Sequence, residues 1–234
     1  MISRKVEIAG HRFDLLPGRA AWWERGATLL VADLHLGKTT AFRAGGIPVP
    51  CGVTSRDVSR LSGIIAKLPV RRLVVLGDLF HARSGVDAEV MDPFARLVER
   101  FRPVEWVVVE GNHDRGLQKE AESCGLIMVS DLEMDGLHFV HDPAALAGPG
   151  VCGHLHPGVR LRDFDGAAVR VPSFVVEKDK LILPAFSSFA GMHLVEPAAG
   201  RTCYAVACEK VVRVSPEGET GFVSPRRNVQ SCNG

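Results

Sequence analysis

The sequence predicts an α/β fold of two packed β-sheets with helices on their outer faces. Three observations carry this expectation. Three short apolar runs, rich in β-branched residues, each stop on polar or glycine residues. Apolar stripes at helical spacing fill the gaps between those runs. After residue 125 the texture changes to short strand-like pieces separated by turn residues.

In chain order, residues 1–16 alternate polar and apolar side chains without a continuous apolar segment, so no secretory leader is read. The three runs are 28–32 (TLLVA), 73–76 (LVVL) and 105–109 (EWVVV), the composition of strands buried on both faces. They end on Asp33-Leu34-His35, on Gly77-Asp78 and on Glu110-Gly111-Asn112-His113-Asp114. Such endings gather polar groups at the carboxyl edge of a sheet, where open α/β sheets bind ligands. Between the first two runs, Val58, Leu61, Ile64, Ile65 and Leu68 predict a helix, with Ser55 as N-cap and Asp57 in its first turn. Between the second and third, Phe94, Leu97, Val98 and Phe101 predict another, capped by Asp92 with Pro93 at its first position. A shorter helix is expected over 116–123. Strands are then expected at 127–129, 137–140, 151–153, 168–171, 174–177, 180–183, 204–207 and 211–214. One domain is read over 1–215. The polar, aperiodic residues 216–234 are expected to form a flexible tail.

The bulk properties agree with a globular chain. At 234 residues a sizeable core can be buried, and 46% hydrophobic with 24% charged residues is ordinary. A formal net charge of +1 neither demands nor excludes nucleic acid, because a local basic patch suffices. The six cysteines include no C-x-x-C pair, and a chain of this size needs no disulfide staples, so reduced thiols in a cytoplasmic protein are expected. No apolar run is long enough to span a bilayer.

The polar residues at strand ends carry the chemistry. They are Asp33-x-His35, Gly77-Asp78, Gly111-Asn112-His113-Asp114, His141 and Gly153-His154-x-His156, all oxygen or imidazole donors. A mixed nitrogen and oxygen set suits Mn²⁺, Fe or Zn²⁺ better than Ca²⁺ or a soft metal. There are more donors than one four-coordinate ion uses, so two ions are expected. If the chain stays extended, Asp33 and His35, and again His154 and His156, would point to one side. Glycines 77, 111 and 153 would let the backbone approach closely. Singly, each piece has a bland explanation: a turn, a surface histidine pair, a helix cap. Together, in this order and each tied to an expected strand, they are best explained as a metal centre.

This ordered set, D-x-H, G-D, G-N-H-D, H and G-H-x-H, resembles the calcineurin-like metallophosphoesterases. The resemblance implies a four-layer αββα sandwich of two mixed sheets, with a dinuclear centre at the carboxyl ends of the strands. It implies that Asp33, His35, Asp78 and His156 hold one metal. Asp78, Asn112, His141 and His154 would hold the other, with Asp78 bridging. His141 is preferred over His138, which lies within the expected strand on the opposite parity. Asn112 and His113 would contact substrate, and His113 would stabilise the phosphate or protonate the leaving group. Asp114 would orient His113 and favour its protonated form. His81 has two readings, a further catalytic contact or an ordinary loop histidine.

The stretches LLVADLHLGK (29–38), FRAGGIPVP (42–50), LGDLFHARSG (76–85), HDP (141–143), GHLHP (153–157) and LPAFSSFAG (183–191) are similar to a narrower group, the bacterial ligase-associated metallophosphoesterases. Members are encoded beside an ATP-dependent DNA ligase, a nuclease and a helicase. The resemblance implies a Mn²⁺-dependent phosphodiesterase or endonuclease acting on DNA, single-stranded above all, and a homodimer. The chain departs from the group at Phe186-Ser187-Ser188-Phe189-Ala190-Gly191-Met192, where F-G-x-F-T-G-G is usual. Arg43, taken as a substrate contact, and Lys38, Arg83, Arg115, Arg160 and Arg162 flank the motif loops; they are either phosphate contacts or scattered surface charges. Two other functions compete: a phosphatase or pyrophosphatase of a small nucleotide or ester, and a non-catalytic scaffold of this fold. The scaffold ranks last because the ligand positions and His113 are intact.

Overall fold

A computed structural model describes residues 2–50, 52–162, 167–207 and 209–215. The tail 216–234, three of the cysteines (Cys51, Cys208 and Cys232) and the Arg162 side chain lie outside the described residues.

The first sheet runs β1 (Arg4–Ile8), β2 (His11–Leu16), β3 (Ala20–Trp23), β4 (Thr28–Val31), β5 (Arg72–Leu76), β6 (Glu105–Val109) and β7 (Ile127–Val129), in that spatial order. The N-terminal alternation is a meander, with β1 to β4 antiparallel. Its first hairpin pairs Ile8 with His11. The two loop residues, Ala9 and Gly10, have φ of 49° and 81°, the left-handed pair that a tight two-residue hairpin turn demands. From β4 onward the strands are parallel, and β4 is buried along its length, as its unbroken apolar run predicts.

The crossovers are helical. α1 (Lys38–Ala44) and α2 (Val53–Ile65) lie between β4 and β5, α3 (Ala88–Arg100) between β5 and β6, and α4 (Gln118–Ser123) between β6 and β7. Two expected caps are displaced. α2 begins after Gly52, whose φ of 72° turns the chain into the helix, so Ser55 lies inside the first turn. α3 begins after Asp87, whose side chain accepts from the Val90 amide, and Pro93 sits inside the helix. A proline there forfeits one i→i−4 bond; the apolar stripe of Val90, Phe94, Leu97 and Val98 carries the helix through it.

The second sheet is built from β8 (Leu132–Met134), β9 (Leu137–Phe139), β10 (Gly150–Cys152), β11 (Pro157–Arg162), β12 (Ala168–Glu177), β13 (Lys180–Ile182), β14 (His193–Leu194), β15 (Arg201–Ala207) and β16 (Lys210–Arg213). Its main path is β14-β11-β12-β13-β10-β9-β8, with β15 and β16 extending from β12. The two pieces expected at 168–171 and 174–177 are one ten-residue strand. Its first half pairs with β11 and its second half with β13 and β15, so Pro172 is passed at the change of partner.

The sheets face each other across Leu30, Val74, Val107 and Val109 on one side and Leu137, Phe139, Val151, Phe174 and Leu181 on the other. Trp23 packs on Phe139 with ring centroids 5.7 Å apart; truncating either aromatic to alanine costs on the order of 3–5 kcal/mol in such a core. Leu61, Ile64 and Ile65 of α2 and Phe94, Leu97 and Val98 of α3 cover the outer face of the first sheet, joined by Ala121 of α4. Over the outer face of the second sheet, the buried apolar residues come from strands and loops, among them Cys152, Val175, Cys203 and Val214. Among the described residues the helical cover therefore lies on one side. The carboxyl ends of β4, β5, β6 and β10 converge on one edge, and every expected metal ligand follows one of these strands or β9.

Candidate metal centre

The backbone at this edge is not extended. Asp33 and His35 have φ of 56° and 46°, Asp78 49°, and His154 and His156 70° and 46°. Five of the seven expected ligands therefore occupy the left-handed region, where each non-glycine residue costs about 1–3 kcal/mol. The two D-x-H and H-x-H pairs present their side chains from this twisted backbone and not from strand alternation. Backbone bonds between loops hold the conformation: Asp33 N donates to Gly77 O at 3.1 Å, His35 N to Asp78 O at 2.8 Å and Ser187 N to Asp33 O at 3.1 Å. Two glycines permit the crowding. A Cβ at Gly77 would fall on the His141 ring, and one at Gly111 on the Asp78 backbone and carboxylate.

The side chains meet as a buried cluster. His156 Nε2 lies 3.3 Å from Asp33 Oδ1, His141 Nε2 3.6 Å from Asp78 Oδ1, and His35 Nε2 3.8 Å from Asp78 Oδ2. His35 Nε2 and His156 Nε2 are 3.2 Å apart, His141 Nε2 and His154 Nδ1 2.9 Å, and His141 Nε2 and Asn112 Oδ1 3.1 Å. His141 Nδ1 is 3.0 Å from Leu76 O, so its ring is oriented by a carbonyl acceptor as metal-binding imidazoles are. His154 N donates to Asp33 Oδ2 at 3.0 Å and His113 N to Asp78 Oδ1 at 3.0 Å. Asp33 and Asp78 are 0% and 2% exposed. Among the described residues the ion-pair partners of both are imidazoles, with no lysine or arginine in contact. Buried carboxylates need a cation. Burial, then the neighbouring His156, pulls the His35 imidazole down to about 2, so the ring is uncharged and offers lone pairs. Ligand atoms of Asp33, His35 and His156, and again of Asp33, Asp78 and His141, lie within 4.8 Å of one another. A pair of divalent cations fits this donor set. His138 lies away from it, beside Gly148.

Asn112 and His113 are exposed at the rim. His113 Nδ1 is 2.7 Å from the His81 carbonyl oxygen, and the two rings stack at 5.1 Å. His81 is half-buried; burial, then Lys38 and His113, lowers its imidazole to about 4. It is thus built into the rim and is not a free loop residue. The expected contact from Asp114 to His113 is not made. The Asp114 carboxylate is fully buried and accepts the Gly111 amide at 2.9 Å, Phe80 at 3.0 Å and Leu79 at 3.3 Å. Burial raises its carboxyl above the usual range against the pull of those amides. The residue faces inward because the turns after β5 and β6 leave three N–H groups needing an acceptor; it fixes the turn that carries His113. Arg43 lies in α1, with Nη2 3.5 Å from Thr40 Oγ1 and 3.7 Å from Glu89 Oε1. It is turned to α3 and is not gathered into the cluster.

Of the basic residues that flank the motif loops, Lys38 feels the charges of both Asp78 and Asp33 from the start of α1. One feature escapes sequence reasoning. The loop at 186–189 is tied to the site from three distant positions: Arg19 Nη1 donates to Ser187 O at 2.8 Å, Arg60 donates to Phe186 O, and Asp57 Oδ2 accepts the Ser188 amide at 2.9 Å. Arg19 and Ser187 are 168 residues apart in sequence, and no local pattern links them.

Comparison with known proteins agrees with this geometry. The model of the calcineurin-like phosphoesterase family matches residues 27–180. Among solved structures, the nuclease MPE of Pseudomonas putida is 27% identical, covers 91% of this chain and 100% of its own, and superposes with a TM-score of 0.79. AQ665 of Aquifex aeolicus, a protein of unknown function, is 17% identical over 55% of this chain and 78% of its own, and its TM-score of 0.39 carries no argument. No curated protein matches. The family match covers well over half of the chain, which belongs to the calcineurin-like phosphoesterases and is a metal-dependent phosphoesterase.

Proposed function

We propose that the protein is a phosphodiesterase that cuts DNA, single-stranded DNA above all, with two divalent cations, Mn²⁺ foremost and Fe or Zn²⁺ as alternatives. Asp33, His35, Asp78 and His156 would hold one cation, and Asp78, Asn112, His141 and His154 the other. Bound there, the cations supply Lewis acidity toward the phosphoryl oxygens and make water nucleophilic at neutral pH. The chain's own residues do the rest. His113, with Nδ1 committed to the His81 carbonyl, has Nε2 for the substrate; protonated, it holds a phosphoryl oxygen or gives its proton to the leaving oxygen. The His81 ring stacks on His113 and keeps it in place. Asp114 fixes the turn beneath both.

The observation that carries DNA as substrate is the openness of the site. Asn112 and His113 are exposed above the cluster. The cavities that adjoin it are small, about 10 Å³ behind His35 and about 130 Å³ beside His156. Enclosed sites for small ligands run to about 300–1,000 Å³, so a nucleotide engulfed in a pocket is disfavoured. Likeness to a nuclease along nearly the whole chain supports the same reading. A role in DNA repair beside an ATP-dependent ligase, a nuclease and a helicase, and a homodimeric state, follow from the motif resemblance. Mn²⁺-loaded protein should cleave single-stranded DNA faster than duplex. Rapid turnover of a nucleotide with no cleavage of either DNA would sink the proposal in favour of a small-molecule phosphatase.

A further inference from the structure

The pocket beside His156 opens directly off the metal cluster, since the same imidazole lies 3.3 Å from Asp33. It holds about 130 Å³, the room of roughly four waters. Arg19 and Arg170 line it together with Ser187, Ser188 and Met192. Arg19 and Arg60 share a single carboxylate, Asp57, so this corner carries excess positive charge. Burial, then Arg60, lowers Arg19 only to about 10, and it remains a cation at neutral pH. Beyond the pocket, β11 and β12 form a hairpin in which Arg160 stands opposite Arg170. Cross-strand partners share a face of the sheet, and both are exposed. Among the described residues neither has a hydrogen bond or ion pair, whereas Val159 and Leu161 of β11 turn to the apolar side. Two like charges placed opposite each other destabilise a hairpin unless an anion lies between them.

We propose that this pocket and the Arg160–Arg170 pair bind the backbone phosphates that flank the scissile one on a polynucleotide strand, leading it off the cluster on its His156 side. The inference rests on the reading of the protein as a DNA phosphodiesterase. The atypical loop at Ser187 to Met192 forms one wall of this track, which places the chain's departure from its nearest motif group against the substrate. Phosphate contacts of this kind position a strand without reading its sequence.

The test is binding of a fluorescent single-stranded oligonucleotide by the full chain in chelator, followed across salt concentration. R160Q/R170Q, with both changes at exposed positions, should bind about tenfold more weakly. Its slope of log affinity against log salt should be shallower by about 1.4, the counterion release of two single-strand phosphate contacts. R96Q/R100Q, which removes the same charge from the outer face of α3, should bind like the unaltered protein. Equal affinity and slope for R160Q/R170Q, an equal loss in R96Q/R100Q, or no binding by the unaltered protein would each overturn the proposal. Failure of the underlying reading shows differently, as a strand that binds in chelator and stays uncut with Mn²⁺.

Discussion

The floor of the metal cluster and its rim are made in contrasting ways. On the floor, Asp33, His35, Asp78 and His141 are almost wholly buried. Three of them sit on left-handed backbone, pinned by amide bonds from neighbouring loops. On the rim, His113 is exposed, and its ring is held by one carbonyl and one stacked ring; Asn112 beside it is exposed yet meets the floor 3.1 Å from His141. The contrast separates two tasks. Donors that must keep a fixed geometry around a charge are immobilised by the chain itself, while groups that meet a passing substrate are left accessible and lightly tethered.

The contrast can be broken first at the floor. Asp78→Ala removes a carboxylate that neighbours His35, His141 and the His113 amide. Activity should fall more than about a hundredfold, beyond the ~10–100-fold of disturbing a supporting residue, and metal bound per chain should drop by elemental analysis. Full metal content with near-normal turnover would remove Asp78 from the proposed ligands. At the rim, His113→Ala should keep its metal yet lose about 10²–10⁴ in turnover of substrates with poor leaving groups, and less with good ones. Loss of metal in that variant would place His113 on the floor. The smallest effect is expected at Arg43→Ala. It reaches Thr40 and the largely exposed Glu89, and such surface pairs contribute about 0–1 kcal/mol. Cleavage should stay within about threefold, and a larger loss would return Arg43 to the substrate path.

The sequence was most legible where one physical signal sufficed. The run at 105–109 is a strand over those residues, buried from Trp106 to Val109, because buried apolar runs bounded by turns have few alternatives; the strand at 127–129 also falls on its expected residues, though Ile127 is exposed. The residues that gather at the sheet edge were legible because each follows a strand. Helix starts were less so. Asp92 before Pro93 reads as a cap, but the apolar stripe reaches back to Val90 and Asp87 takes the role. α1, over Lys38–Ala44, was not among the expected helices, because seven residues are too few to show an apolar stripe at helical spacing. Asp114 beside His113 suggests a pair, yet three unsatisfied amides claim its carboxylate. Left-handed ligand backbones leave no trace in residue spacing, and the ties of Arg19 and Arg60 to the loop at 186–189 join segments that only the folded chain brings together.

That left-handed backbone limits how the centre could be moved elsewhere. Grafting Asp-x-His and His-x-His onto straight strands of another scaffold would reproduce the spelling of the motif and lose its aim. What must be transplanted is the set of contorted turns, with the facing loops whose amides hold them, so the smallest portable unit of this chemistry is the whole sheet edge.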